Sequence, residues 1–463
     1  MRRLIAPLVL VLALTGCLVG PNYHRPATVV PAQFPDAPAT GSESIADKKW
    51  SELFQDAALN QMVAAALEKN FDVRIAAERV IEARSQYGIT RANLFPTLDV
   101  AASYTGSRSS SIGSFPFPPG TPVAFSYTQA GLQLSWEIDL WGRLRRLTEA
   151  ARAQYLASEE ARHGVIISLI SDVMNTYFSL RELDLELAIG QQNNGIARDN
   201  LRLIQLRRQR GAANGLEVHQ AEQFLYTTTA QIASVERSIA QTEDALNLLL
   251  ANAPGQVQRG LTLEQITSAP ELPAGLPSSL IERRPDIRQA EDMLIAANAQ
   301  IGAARALFFP EISLTGFLGG QSQPLLQLFS GPARVASIAP SLLSPIFHAG
   351  LRSGVRLTEA QQREMLIAYQ KSIYGALREV ADALAAHSRT REQRGEEEKL
   401  VTALSESVRL STLRYRGGLD SYLQVLDAER NLFAGQLDLA QRRLLELQSV
   451  VQLYRALGGG WQG

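Results

Sequence analysis

Five histidines, His24, His163, His219, His348 and His387, are scattered along the chain with none of the short spacings that let two imidazoles grip one metal ion. No residue stands in a recognisable nucleophile setting, and no glycine-rich loop is placed to cradle a phosphate. Catalysis is therefore not expected, and neither is a bound metal or organic cofactor. The residue best placed for covalent chemistry is Cys17, the only cysteine of 463 residues. A single thiol forms no intramolecular disulfide and no cysteine-based metal site, so its meaning lies in where it sits.

It sits at the end of an export signal. Met1-Arg2-Arg3 is a positive start, and the apolar run from Leu4 to Leu14 is too short to span a bilayer as a mature helix. Leu14-Thr15-Gly16-Cys17 resembles the bacterial lipobox, in which the cysteine thiol is acylated and becomes the new N-terminus. The expectation is a signal over 1–16 and a covalent lipid at Cys17, anchored by about 0.8 kcal/mol per buried methylene. Leu18 is not the aspartate that signals retention at the inner membrane, which points to the outer one. No later stretch offers 18 consecutive apolar residues, so any spanning falls to strands. The formal net charge of -1 lacks the basic excess of a nucleic-acid partner.

The elements that would carry these residues occur twice. Asp72 to Val100 aligns without a gap on Asp286 to Leu314, pairing Arg74 with Arg288, Gly88 with Gly302 and the stop Phe95-Pro96 with Phe309-Pro310. Arg146 to Ala150 recurs unchanged as Arg356 to Ala360, and Ala221-Glu222 recurs as Ala428-Glu429. Matches in order at offsets of 214, 210 and 207 indicate a duplication of about half the chain. The organisation read from this is a tether over 17–45, a first helix-strands-helix repeat over 46–253 and a linker over 254–277. A second repeat follows over 278–457, with a short tail over 458–463.

Within each half, a proline-free helix stops at the Phe-Pro, because proline cannot continue it. The period then changes to two. Leu98, Val100, Ala102 and Tyr104 alternate with small or polar residues, as do Leu132 to Leu140. Charge vanishes from Ser109 to Trp136, from Ile312 to Ala333 and from Val335 to Leu351. A soluble sheet puts charges on its wet face; here one face is expected to meet lipid, with Ser, Thr and Gln serving the other. Ser107 to Pro122 and Gln321 to Pro332 read as the loops between strands. After each strand pair comes a long helix, proline-free from Arg143 to about Gln209, which at 1.5 Å per residue reaches roughly 100 Å. Ile166, Ile170, Val173, Tyr177 and Leu180 on it, like Leu437 to Tyr454 on the last helix, predict narrow seams of coiled-coil type. Both long helices turn at glycines, Gly211 to Gly215 and Gly417-Gly418.

Four strands cannot close a barrel alone, and an open edge in lipid costs several kcal/mol per unpaired backbone group. Three copies would close twelve. The fold class expected is an α+β membrane protein with internal duplication: a long α-helical coiled-coil barrel joined to a transmembrane β-barrel that a trimer shares, four strands per chain.

Together, Leu14 to Cys17, Gly20-Pro21-Asn22-Tyr23, Glu282-Arg283-Arg284-Pro285-Asp286-Ile287, the two Phe-Pro stops and Arg414-Tyr415-Arg416-Gly417-Gly418 resemble the TolC-like outer membrane factors, specifically the NodT-type efflux lipoproteins. The likeness covers essentially the whole chain. It implies a homotrimer whose periplasmic tunnel is closed at the tip until a periplasmic adaptor (a membrane fusion protein) and an inner-membrane RND transporter dock. It also implies an apolar and an acidic ring at that tip, matching Leu423 and Asp427, whose spacing of four puts both on one helix face. Tyr415 and Arg416 match latch residues, with Glu217 where relatives often carry Asp. Arg207, Gly211, Arg414 and Gly417 match the surface that would meet the adaptor. The expected function is an exit duct for drugs, toxic compounds or metal ions, localised to the outer membrane. Two other readings share the helices: the outer-membrane component of a protein secretion system, and a periplasmic coiled-coil scaffold, which has no use for charge-free strands.

Overall fold

A computed structural model describes residues 18–28, 30–34, 44–110, 112, 118, 122–266, 273–275 and 277–461. Cys17 and most of the Ser107 to Pro122 loop lie outside them. The described chain forms two compact units interleaved in sequence. One takes the described residues of Met1–Ala27, Val80–Ser158 and Ala290–Tyr369; the other takes those of Thr28–Arg79, Glu159–Gln289 and Gln370–Gly463. Each half of the sequence contributes to each unit.

The elements run α1 (Trp50–Leu53), α2 (Ala57–Lys69), α3 (Phe71–Ala92), β1 (Thr97–Arg108), β2 (Ala124–Ile138), α4 (Arg143–Gln209) and α5 (Gly215–Leu249). The second half has α6 (Leu280–Arg283), α7 (Pro285–Ala306), β3 (Glu311–Ser322), β4 (Arg334–Leu343), α8 (Gly350–Arg416) and α9 (Tyr422–Ala456). The duplication holds to the residue in length: α3 and α7 are each 22 residues, α4 and α8 each 67, α5 and α9 each 35. Neither α3 nor α7 reaches its Phe-Pro as regular helix. Phe95 N donates to Ala92 O and Phe309 N to Ala306 O, so both ends tighten into a three-residue turn before the proline. No helix among the described residues is long and apolar enough to cross a membrane.

The strands form one antiparallel sheet in the order β1-β2-β3-β4. Gly131 of β2 faces Gly319 of β3. A Cβ on Gly131 would lie 2.4 Å from Leu318 O, and one on Gly319 would lie 2.2 Å from Ala130 O, so these strands approach at a distance only glycine permits. In the same unit, Ala150 and Ala153 of α4 pack on Ala296 and Ala299 of α7, small side chains bringing two helices close.

In the other unit, α4 departs from the narrow seam its periodicity predicts. Ile167, Leu169, Ile170, Val173, Met174, Tyr177, Phe178 and Leu180 are all buried, a stripe too wide for one neighbour. The cause is the short elements before residue 70, which the sequence reading had not separated. Phe54, just after α1, stands edge-on to Phe178 with ring centroids 4.8 Å apart, and the Tyr177 hydroxyl donates to Asp56, the N-cap of α2, at 2.7 Å. The segment after Pro254 is packed as well: Val257, Leu263 and Ile266 are buried, and Arg259 is paired with Asp184 and Glu243.

Candidate functional site

Two regions carry what the architecture could do: the faces of the sheet and the glycine turns of the long helices. Directly opposed residues of a sheet share a face. On one face stand Leu98 and Val100 of β1, Leu132, Leu134, Trp136 and Ile138 of β2, Ile312, Leu314 and Leu318 of β3, and Ile338 and Leu342 of β4. The other face carries Asp99, Ser103, Gln129, Gln133, Ser135, Gln321, Ser337 and Ser341, with Phe317 and Tyr127 among them. The apolar face is bare in the single chain: Leu98 is 63% exposed, Val100 82% and Ile338 71%. Such a face needs lipid or protein against it, while its opposite suits water. β1 pairs only with β2 and β4 only with β3 among the described residues, leaving two edges open.

At the tips, the two halves end alike. Gly211 has φ +73° and Gly418 has φ +73°, the left-handed conformation that closes a helix. Ala212 N donates to Arg207 O at 2.8 Å and Gly211 N to Arg208 O at 3.0 Å. In the second turn Leu419 N donates to Arg414 O at 2.9 Å and Gly418 N to Tyr415 O at 3.0 Å. Both are the same pair of bonds across the helix end. Of the expected pair Gly417-Gly418, the residue that needs to be glycine is thus Gly418; Gly417 is exposed and has ordinary space around it. Gly211 is exposed and open to solvent.

The remaining residues singled out from the sequence fall into two groups here. Leu423 is 49% exposed and Asp427 is exposed one turn on, accepting a hydrogen bond from Asn431 at 3.3 Å; neither is among the buried residues of α9. Tyr415 and Arg207 come together instead, the guanidinium 4.6 Å above the tyrosine ring, which also tilts against Tyr422 at 5.6 Å. Arg207, which the resemblance matches to the adaptor surface, is half-buried and through this stack also ties the first hairpin to the second. Arg414 is held by its own turn, donating to Asp420 at 2.5 and 3.1 Å. Arg416 is exposed beside a cleft of about 420 Å³ bordered also by Ile204, Tyr415, Tyr422 and Glu429.

Burial pushes the Tyr415 phenol up; the Arg207 charge opposes this and the Glu217 charge adds to it. Its hydroxyl has no partner among the described residues. Glu429 was missed as an individual in the sequence. It is 7% exposed, one carboxylate oxygen accepts from Asn200 at 2.7 Å, the other has no partner among the described residues, and burial raises its pKa against the pull of Asn200. Its counterpart Glu222 in the first half sits nearer the surface, bonded to His219 at 2.8 Å, so the duplicated Ala-Glu pair has diverged in environment. Behind the cleft, Val218, Phe224, Tyr422, Val425 and Phe433 form one buried cluster.

This architecture is shared. The family model described as outer membrane efflux protein matches residues 62–252 and 276–459. The chain is 42% identical over 98% of its length, and 98% of the relative's, to the solvent efflux pump outer membrane protein SrpC of Pseudomonas putida. It is 36% identical, again over 98% of both chains, to the cation efflux system protein CusC of Escherichia coli O6:H1. Among solved structures, CusC superposes with a TM-score of 0.86 at 34% identity over 96% of this chain and 100% of that one. The open state of the Neisseria gonorrhoeae MtrE outer membrane channel does so with 0.86 at 33% identity, over 96% and 99%. The sheet, the duplicated hairpins and these matches over nearly the full length agree: the chain belongs to the outer membrane efflux protein family and is an efflux channel of the outer membrane.

Proposed function

We propose that three copies of this chain form the passive exit duct of a tripartite efflux system, docked to a periplasmic adaptor and an inner-membrane RND transporter. The observation that carries the reading is the sheet: four strands, an uncovered apolar face, a polar opposite face and two open edges. Each edge group left unpaired in hydrocarbon costs several kcal/mol. Three sheets joined edge to edge make a closed wall of twelve strands with its apolar face outward. The duct carries out no reaction and needs no cofactor beyond the lipid on Cys17.

At the tips, Leu423 and Asp427 project into the lumen, so that three carboxylates converge and narrow the passage. Tyr415 and Arg416 latch the second hairpin in the closed state, with Arg207 and Glu217 supplying the charge around the Tyr415 ring. Arg207, Gly211, Arg414 and Gly417 lie on or beside the exposed turns that meet the adaptor. The cargo is a small molecule; the names of the relatives span solvents, toluene, antibiotics and cations, which fits a wall that does not select by binding.

The test is the mass of the purified protein in detergent and its behaviour without detergent, for the mature chain and for Cys17→Ser. Three chains per particle and continued dependence on surfactant after loss of the thiol are expected. A single-chain particle that stays dissolved in plain buffer would overturn the reading.

A further inference from the structure

Gly20-Pro21-Asn22-Tyr23 takes no part in the wall or the tips, yet the structure holds this stretch at nearly every step. Val19 N donates to Trp141 O at 3.1 Å. The Arg146 guanidinium, 1% exposed, donates to the carbonyls of Val19 at 3.2 Å and Gly20 at 3.4 Å and to Asn22 Oδ1 at 2.8 Å, and pairs with Glu149 at 2.7 Å. Asn298 Nδ2 donates to Pro21 O at 3.0 Å. Glu291, 7% exposed, accepts two bonds from Arg25 at 2.7 Å and one from the Tyr23 hydroxyl at 3.0 Å. Two glycines let the backbones meet: Gly20 has φ +98°, and a Cβ on it would lie 2.4 Å from Gly302 Cα. A flexible leash between lipid and body would need none of this, and a buried guanidinium is costly unless its donors are satisfied. Here two backbone carbonyls and the Asn22 side chain of the N-terminal segment, together with Glu149, satisfy it.

We propose that Arg146, Asn298 and Glu291 are anchor-positioning residues: they strap residues 19–25 to the start of α4 and to α7, fixing the membrane-anchored end of the chain beside Trp141 at the β2–α4 junction. The proposal rests on the lipidation of Cys17. Successive Cα atoms are about 3.8 Å apart, so the acylated residue cannot stray far from Leu18. Leu18 itself lies against Gly142, where a Cβ would come within 2.7 Å of Leu18 Cδ1. Trp141 stacks on Phe309 at 4.8 Å and donates its indole N–H to Pro310 O at 2.8 Å, an amphipathic ring of the kind that marks a membrane–water boundary. The acyl chains therefore enter the bilayer at the foot of the strands, and the strap takes up the slack that a leash would leave.

Hydrogen exchange on the full-length acylated protein in lipid nanodiscs, read at peptides covering 18–25 with the N-terminal mass measured in the same sample, tests this. Slow exchange is expected in the native protein. Glu291→Gln combined with Asn298→Ala, and separately Arg146→Met, should speed it on the order of tenfold with the acyl mass and the exchange of α9 unchanged, and Arg146→Lys should restore part of the protection. A native segment that exchanges like free peptide, or variants that leave it protected, would overturn the strap. A protected strap on an N-terminus carrying no acyl mass would instead remove the anchor role, and with it the lipidation reading.

Discussion

Glu182 on α4 is 7% exposed, and its pKa is pushed up to about 8, first by burial and then by the charge and hydrogen bond of Glu186 one turn on. The folded protein keeps this proton where an unfolded glutamic acid gives it up, so the group's contribution to stability is full below the ordinary carboxylate range. It is lost as pH rises through about 8, because the unfolded state binds fewer protons across that window. Glu182→Gln should therefore flatten the pH dependence, melting with the native protein at pH 5 and several degrees above it at pH 8.5. Identical profiles for both proteins would show that Glu182 is ionised when folded. The tip tests a different residue. Asp427 is exposed and accepts a hydrogen bond from an exposed asparagine, so Asp427→Ala should leave the melting temperature within about a degree. It should raise basal current or change cation preference in planar bilayers, and an unaltered trace would take Asp427 out of the gate. Leu423 and Asp427 were singled out by resemblance, and only their shared helix face, a local consequence of a spacing of four, was readable from the residues themselves. Glu429 and the Arg207–Tyr415 stack were not, because burial and stacking depend on a second helix distant in sequence.

At the scale of elements, the duplicated Phe-Pro stops, the proline-free runs and the glycine turns marked nearly every boundary of the long helices. Proline and glycine act on the backbone where they stand, which is why such punctuation reads directly. The strand faces were legible for the same reason, alternation being set by the pleat. What escaped was α1, four residues long and too short to show a period, and α2, whose Leu59, Met62, Val63 and Ala66 recur by threes and fours but were overlooked, and with them the breadth of the buried stripe around Tyr177. The Gly131–Gly319 contact was equally hidden, since it depends on which strands pair and in what register. It supports a further expectation. Gly319→Val would drive carbons into the β2 backbone and should sharply lower the temperature at which the assembly dissociates on a gel. Gly106→Ala in β1 meets only ordinary contacts, the nearest at 3.6 Å, and should not. Equal losses from both substitutions would mean that strand propensity, and not the close approach, is being measured.

For the whole molecule, the need for sister copies follows from unpaired backbone, not from side-chain affinity. The apolar face of the sheet would suit any lipid or protein surface, but only further strands complete the edges of β1 and β4. This part of the reading was available from the sequence once four charge-poor strands had been counted, whereas the strap was not, its bonds joining residues far apart in the chain. The matched helix lengths of the two halves carry one more consequence. A residue inserted into a helix moves everything beyond it by about 1.5 Å along the axis and turns it by roughly 100°. An indel in α4 alone would throw its turn out of step with α5 and with α8 at once, so evolution can lengthen this protein only by concerted changes in four helices, in units that restore the phase of the coil.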